Sequence, residues 1–169
     1  MTVPIVIVDY DPTWPAQAFA EMESIRAALG NRLIAIEHIG STSVPGLAAK
    51  PILDLLAGLR TLDNAPACIP LLATLGYIYV PEYEAEMPER RYFRKGTDGA
   101  RTCHLHMVEI GSPFWARHLK FRDVLRTDSV SAAEYATLKR RLAGEYGEDR
   151  TGYTEAKTAF IRAMEARGR

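Results

Sequence analysis

The amino-acid sequence predicts one α/β domain, of the α+β kind, in which a small mixed β-sheet is followed by packed helices. The length of 169 residues suits a single domain. Short apolar segments bounded by turn residues fill the part from about 1 to 110, whereas helix-type spacing and helix-start signals dominate from about 111 to 169. This order predicts a sheet-bearing part and a helical C-terminal part within one domain, residues 1–169.

The N-terminal residues predict an extended stretch and one long helix. The apolar segment Val3–Tyr10 indicates a short strand or an extended lead. A helix should follow, with Thr13 as its N-cap and Pro15 in its first turn, where a missing N–H group costs nothing. Gly30 should end this helix, because glycine readily takes the conformation of a C-terminal cap.

Two strands and a second helix are predicted next. Arg32–Gly40 is rich in β-forming residues, and Pro51–Leu59 is almost wholly apolar, as expected of a central strand. Leu62–Leu75 has helical spacing and is closed by Gly76, although Pro66 and Pro70 interrupt it early.

The middle of the chain predicts the rest of the sheet. Tyr77–Val80 is a third strand candidate. The segments Arg90–Lys95 and Arg101–Ile110 are joined by a Gly-Thr-Asp-Gly turn and a following alanine, which is typical of a β-hairpin.

Three helices are predicted in the last third. The first begins at Ser112 and Pro113 and continues to about Arg126. The capping-box pattern Ser131–Glu134 should open the second, which continues to about Tyr146. Thr151 or Thr154 should start the third, which runs to the C-terminus.

Composition excludes several classes of partner. Acidic and basic residues balance at 21 each, so no overall field attracts nucleic acid or a membrane. The N-terminus lacks a basic lead and is interrupted by two aspartates, so it is not a signal peptide, and no apolar run is long enough for a membrane span. Only Cys68 and Cys103 are present, without metal-type spacing. We therefore expect a cytoplasmic protein, and the sequence predicts no oligomeric state.

A turn of small polar residues is the first candidate site. Gly40, Ser41, Thr42 and Ser43 follow a predicted strand and offer hydroxyl and backbone N–H groups, with which proteins commonly hold phosphate. Lys50 would add a charge to that phosphate. Asp54 would hold Mg²⁺, a cation that prefers oxygen ligands. The simpler interpretation is a structural turn with an ion-paired aspartate.

The stretch EHIGSTSVPGLAAKPILDLL, at residues 37–56, resembles the signature of the GrpB family within the nucleotidyltransferase superfamily. The resemblance continues through RYFRK, HLHMVEIGSPFWARHLKFRDVLR and YTEAKTAFI, and so covers nearly the whole chain. It implies a nucleotidyltransferase-like fold, with Gly40 and Ser41 in the phosphate-side turn and Asp54 as the first metal-binding acid. Related domains are fused to dephospho-CoA kinase in some bacteria.

One position departs from the pattern that the resemblance implies. The superfamily places two acids two residues apart on the strand, so that both point to one face, but Leu56 stands at the second position. A two-metal site needs carboxylates on both sides of the reacting phosphorus. The departure weakens the case for catalysis more than the case for binding.

A pair of histidines is the second candidate site. His104 and His106 should share one face of a strand, with Glu109 on the other. Together with Asp54 they are candidate metal ligands, although imidazole suits Mn²⁺ or Zn²⁺ better than Mg²⁺. They are also candidates for acid–base chemistry, for hydrogen bonding to phosphate, or for simple packing in the sheet.

Basic side chains form the third candidate set. Arg91 and Lys95 should share one face of their strand and Arg90 and Arg94 the other, and we assign Arg91 to phosphate binding because guanidinium groups suit phosphate. Charge that protects an edge strand is the alternative. The basic runs near His118 and at 139–141 are more typical of solvated helix faces.

Two hypotheses of function result. The first is an enzyme that transfers a nucleotidyl group from a nucleoside triphosphate to a small-molecule or protein acceptor. In it, Asp54 and His106 are catalytic and Mg²⁺, or alternatively Mn²⁺, is the cofactor. The second is a non-catalytic nucleotide- or CoA-binding module, which Leu56 favours. Both predict a phosphorylated small-molecule ligand.

Overall fold

The computed structural model describes residues 3–167, and a mixed β-sheet of five strands lies at the centre of that part of the chain. In chain order the strands are β1 (Leu33–Ile39), β2 (Leu53–Leu59), β3 (Tyr77–Tyr79), β4 (Arg90–Thr97) and β5 (Ala100–Glu109). Their order across the sheet is β1-β2-β5-β4-β3. Strands β2 and β5 are parallel, and the other neighbours are antiparallel. The predicted mixed sheet is confirmed.

Helices account for most of the remaining structure. They are α1 (Trp14–Leu29), α2 (Ala65–Ala73), α3 (Pro113–Thr127), α4 (Ser129–Tyr146), α5 (Arg150–Ala156) and α6 (Thr158–Ala166). Short 3₁₀ turns lie at Gly30–Arg32, Ser41–Ser43, Leu62–Asn64 and Pro81–Tyr83. Within residues 3–167, every helix is too short or too polar to cross a membrane.

The two faces of the sheet have different functions in the fold. Odd-numbered residues of β2 and β5, such as Leu55 and Leu105, pack with residues of α1 and α2 in the main apolar core. Even-numbered residues face the other way, where Leu56 packs against Val108 and against Phe114 at the start of α3. This second face also carries the polar candidates, because strand residues two apart share a face.

The start of α1 has Thr13 at the predicted N-cap position and Pro15 in the first turn, but the hydrogen bonding of Thr13 differs from the prediction. The Thr13 side chain makes no capping hydrogen bond to the helix. Its hydroxyl and its backbone N–H both donate to the Asp11 carboxylate, at 2.7 and 2.8 Å. The charged carboxylate is the stronger acceptor and engages the hydroxyl.

The start of α4 is also different, because the predicted capping box lies inside the helix. The helix begins at Ser129, and Asp128 is its N-cap, accepting hydrogen bonds from the backbone N–H groups of Val130 and Ser131 at 3.1 Å. A carboxylate at this position satisfies unpaired N–H groups and suits the positive end of the helix dipole. The predicted cap at Ser112 of α3 is confirmed, with its hydroxyl accepting from the Trp115 backbone at 3.4 Å.

The second predicted helix is shorter than expected. The segment Leu62–Leu75 contains a 3₁₀ turn before α2, which has Pro66 in its first turn. The segment Val3–Tyr10 lies outside the strands, in agreement with the extended lead that was one of the two predicted alternatives. Val8 forms a bridge with Ala49, and the Ile5 N–H donates to the Gly147 carbonyl at 3.0 Å.

The predicted C-terminal helix is divided into α5 and α6 at Lys157, and residues 168 and 169, at its predicted end, lie outside the described part. The break matters for the site, because Lys157 lies at the junction and lines the cavity described below.

Candidate functional site

The turn after β1 is built tightly against Asp54. Gly40 has φ of 72°, in the region that favours glycine, and a Cβ atom there would lie 2.7 Å from Asp54 Oδ2. The strand register explains the closeness, since Asp54 pairs with Ile39, the last residue of β1. The predicted neighbourhood of the glycine turn and the acid is therefore present in the fold.

Two of the four predicted phosphate-binding residues in this turn direct their hydroxyls to the protein itself. Thr42 Oγ1 lies 2.8 Å from His38 Nε2, and Ser43 Oγ donates to the Gly40 carbonyl at 2.5 Å. Both residues are buried. Ser41 is the turn residue whose hydroxyl remains on the cavity wall, where it lies within hydrogen-bonding reach of the Tyr135 hydroxyl.

Asp54, His104 and His106 form one hydrogen-bonded group. Asp54 Oδ1 lies 3.4 Å from His104 Nδ1 and 3.4 Å from His106 Nε2. On its other side, His106 Nδ1 lies 3.3 Å from Arg90 Nη1. Because arginine can only donate, Nδ1 accepts and Nε2–H donates to Asp54 in the neutral imidazole. Both nitrogens of His106 are thus engaged, and this histidine orients the carboxylate.

The charges in this group follow from burial and pairing. Burial lowers the pKa of His106, and the attraction of Asp54 only partly opposes that effect. Burial would raise the pKa of Asp54, but its hydrogen bonds to His104 and His106 outweigh it and hold the pKa below the ordinary value. The group therefore holds an ionised Asp54 carboxylate beside a neutral His106 ring, and 30% of the Asp54 side chain is exposed toward the cavity.

The residues present do not fit the expected magnesium site. In the described residues, no group of three or more His, Cys, Asp and Glu side chains is arranged to hold a metal ion. Leu56, at the position of the expected second acid, is 0% exposed and packs with Ile39, Val108 and Phe114. A hard cation would find one carboxylate and imidazoles that are already hydrogen-bonded. Metal binding stays a prediction.

Arg91, predicted to bind phosphate, lies on the wrong face of the sheet. It pairs with Met107, and its guanidinium contacts Glu84 and the Pro88 carbonyl. The register of β4 and β5 shifts by one residue between Lys95 and Gly96. A one-residue shift exchanges the two faces of a strand. It brings Arg90 and Tyr92, rather than Arg91, to the side of the histidines.

The site opens into a cavity of about 340 Å³ between the second face of the sheet and helices α3 to α6. Gly40, Ser41, Thr42, Asp54, His104, His106 and His118 line one part of it, with Tyr135 and Phe121. Three lysines, Lys50, Lys139 and Lys157, also line it and come from three different segments of the chain. The sequence predicted the first of these for the site.

Each of the three amines is held in an unusual environment. Lys139 is 2% exposed, donates to the Ala48 carbonyl and lies 4.7 Å from the centre of the Tyr135 ring. Lys50 and Lys157 lie 5.0 and 4.4 Å from the centre of the Tyr153 ring. The amines are close enough to influence one another electrostatically.

Burial and mutual repulsion make these amines weak bases. The pKa of Lys139 is lowered to about 7, mainly by burial and further by repulsion from Lys157 and Lys50. The pKa of Lys157 is lowered to about 8, mainly by burial and further by repulsion from Lys50. Burial also lowers the pKa of Lys50, with Asp54 opposing and Arg150 and Arg101 adding to the effect.

Sequence reasoning missed Lys139 and His118, which were taken for parts of solvated helix faces. A signal for Lys139 existed, because it lies four residues after Tyr135 and three before Leu142, on the stripe that α4 buries. His118 Nδ1 donates to the Phe114 carbonyl at 2.8 Å, and the ring stacks on Phe114 at 3.9 Å. Burial lowers the pKa of His118 to about 4, so the ring is neutral and keeps Nε2 as an acceptor.

The fold and the site define a small α/β domain with a polar cavity between its sheet and its C-terminal helices. The chain belongs to the GrpB protein family, whose model matches residues 4–167. The crystal structure of the conserved protein GrpB from Enterococcus faecalis superimposes with a TM-score of 0.85 and 36% identity, over 95% of this chain and 94% of that chain. The predicted family and fold class are confirmed.

Longer relatives also match. The chain is 38% identical to UPF0157 protein YqkA of Bacillus subtilis over 95% of its own length, but it spans only 46% of that protein. It is 27% identical to the dephospho-CoA kinase of Mycolicibacterium paratuberculosis, over 94% of this chain and 44% of that protein. The Cid1 poly(U) polymerase aligns at a TM-score of 0.47 and 12% identity, over 79% of this chain and 44% of that chain, a likeness that says nothing about activity.

Proposed function

We propose that this protein binds a nucleotide or another small phosphorylated molecule in the cavity between the sheet and the C-terminal helices. The observation that carries the proposal is the convergence of Lys50, Lys139 and Lys157 on one cavity. Proteins seldom bury amines without carboxylate partners unless the charge is used. A cavity of about 340 Å³ is also within the ordinary range for small-molecule sites.

The lining provides two kinds of contact for such a ligand. The lysines would neutralise the phosphate oxygens, and the Ser41 hydroxyl would donate to one of them. Aromatic walls at Phe121 and Tyr135 suit the organic part of a ligand. The bound molecule would thus be amphipathic, with its charge at the lysines.

Nucleotidyl transfer with a divalent metal is the second candidate function. Asp54 beside the Gly40 turn favours it, because the carboxylate faces the same cavity as the lysines. Mg²⁺ or Mn²⁺ would be held by Asp54 and by the ligand's own phosphates, with His104 or His106 released from its present hydrogen bond. The apolar surroundings of Leu56 count against a second ion.

The relatives suggest which ligands to examine first. One curated relative is a dephospho-CoA kinase of which this chain matches less than half, so CoA and dephospho-CoA belong among the candidates beside nucleoside triphosphates. The proposed partner is a small molecule in the cytoplasm, and neither nucleic acid nor a membrane is part of the proposal.

The experiment is a stability measurement with a panel of ligands. ATP, UTP, CoA, dephospho-CoA and pyrophosphate are each added at millimolar concentration during urea unfolding. A ligand that binds the cavity should stabilise the protein by about 1–3 kcal/mol at about 10- to 100-fold excess over Kd. Ser41→Ala and Lys157→Met should reduce the effect, whereas Lys120→Met, on α3 outside the cavity lining, should not. No stabilisation by any of the five ligands would contradict the proposal.

The same panel separates the two candidate functions. A ligand that stabilises the protein is tested as an α-³²P-labelled triphosphate for transfer to acceptors, with and without Mg²⁺. Transfer that Asp54→Asn abolishes would establish the second candidate. Binding without transfer leaves the protein as a binding module.

A further inference from the structure

The carboxylates of the cavity do not neutralise its lysines. Asp54 and Glu165 are the acidic residues in the lining. Asp54 is hydrogen-bonded to two imidazoles, and Glu165 forms an ion pair of 2.9 Å with Arg162. Across residues 3–167, the ion pairs involve none of Lys50, Lys139 and Lys157. The cavity therefore holds a surplus of positive charge.

The same cavity is a poor place for a divalent cation. The described residues offer no metal-binding group of His, Cys, Asp and Glu, and the place of a second acid is filled by Leu56 within an apolar cluster. A divalent ion about 6 Å from one ammonium group is repelled by roughly 5 kcal/mol at an effective dielectric constant of about 20. Three amines in one lining multiply that repulsion.

On the basis of the proposed function, we propose that the cavity binds its phosphorylated ligand as the metal-free anion. The ammonium groups of Lys50, Lys139 and Lys157 supply the charge that a divalent ion supplies in metal-dependent phosphate sites. The substrate class is thus a phosphate monoester or polyphosphate that is not complexed with magnesium.

Asp54 has a defined task in this arrangement. Its hydrogen bonds to His104 and His106 keep it ionised and fixed at the β2 side of the cavity. A phosphate approaching that side is repelled, because no cation lies between the two anions. The carboxylate therefore confines the phosphate to the part of the cavity nearest the lysines and limits affinity.

The protonation of the amines supports the same arrangement. The pKa values of Lys139 and Lys157 are lowered by burial and by the neighbouring lysines, with Arg140 also facing Lys139 and Asp54 opposing both effects. A polyanion among the amines would offset these repulsions and recruit protons to the site.

The test is a calorimetric titration of ATP into the whole protein, once with EDTA and once with excess Mg²⁺. We expect affinity in EDTA to equal or exceed that in Mg²⁺, where the complexed nucleotide carries two fewer negative charges. Lys50→Met and Lys157→Met should each weaken binding in EDTA by about 10-fold or more. Asp54→Asn should leave affinity unchanged or improve it, and Lys120→Met is the matched control.

The outcomes are separable. Binding that needs Mg²⁺ and is lost in Asp54→Asn overturns the metal-free proposal and leaves the proposed function intact. No ATP binding in either medium overturns the metal-free proposal for this nucleotide, and the five-ligand panel then decides the proposed function separately. Equal affinity of the lysine variants and the wild-type protein for ATP also overturns the metal-free proposal, provided that urea unfolding shows that the variants are folded.

Discussion

Replacing the buried Lys139 by methionine should change how the stability of the protein depends on pH. Lys139 is 2% exposed, and its pKa is lowered from 10.5 to about 7, first by burial and then by Lys157 and Lys50. At about 1.4 kcal/mol per pKa unit, burying this group as a cation costs roughly 5 kcal/mol. Methionine fills a similar volume without the charge.

The direction of the pH effect follows from the protons bound. The unfolded chain keeps the Lys139 proton up to the ordinary pKa of 10.5, whereas the folded protein releases it near 7. Between those values the unfolded state binds more protons, so the free energy of unfolding rises with pH, by at most about 1.4 kcal/mol per unit. Below about pH 7 the cost of the buried cation is present in full.

The expected difference between variant and wild type can be stated. Lys139→Met also leaves the Ala48 carbonyl without its hydrogen bond, which costs roughly 1–3 kcal/mol. At about pH 6 the variant should therefore be more stable than the wild type by roughly 2–4 kcal/mol. This advantage should shrink by about 2–3 kcal/mol by about pH 9.

Urea unfolding followed by circular dichroism across this pH range measures the difference. Arg141→Met is the matched control, because Arg141 lies on the same helix but its side chain is 64% exposed and pairs with Glu145 at the surface. The difference in free energy of unfolding between this control and the wild type should stay constant across the pH range. If the free energy of unfolding of Lys139→Met changed with pH in parallel with that of the wild type, the reasoning would be refuted.

The remaining predictions concern the walls of the site. Gly40→Ala should lower the free energy of unfolding in urea by about 3 kcal/mol or more, and Gly46→Ala by about 1–2 kcal/mol. Both glycines have positive φ, but of the two only Gly40 would place its new Cβ against the Asp54 carboxylate. Equal losses of stability in the two variants would contradict this. Leu56→Asp should destabilise by more than about 3 kcal/mol and Leu56→Met by less than about 1.5, and a folded, metal-binding aspartate variant would show that the position is not core. Arg90→Met should raise the pKa of His106 in an NMR titration, because Arg90 repels the protonated ring, and an unchanged pKa would disprove the contact.

Much of the fold could be predicted from local patterns. The run Pro51–Leu59 indicated a central strand because strands that are buried on both faces are apolar throughout, and β2 is indeed central. The turn at Gly40 and the acid Asp54 were placed together by the family resemblance, and the register of β1 and β2 accounts for it. Helix ends were less predictable, since Asp128 is the N-cap of α4 in place of the predicted Ser131, three residues later.

The site itself depended on tertiary facts that no short pattern contains. Arg91 and Arg90 differ by one position, and the single-residue shift between Lys95 and Gly96 decided which of them faces the histidines. Lys139 belongs to a run of three basic residues whose directions differ around the helix. Only the packing of Tyr135 and Leu142 on the same stripe shows which one turns inward.

The central claim is that a phosphorylated ligand lies among the three lysines, and proton uptake tests it most directly. ATP is titrated into the protein with EDTA at about pH 8, in buffers of different ionisation enthalpy, so that the calorimetric heat gives the number of protons bound. The pKa of Lys157 is about 8 and that of Lys139 about 7, and an anion beside them raises both. We predict net proton uptake in the wild type and a smaller uptake in Lys157→Met. Binding of ATP with no proton uptake, and with equal affinity in Lys157→Met, would contradict the account.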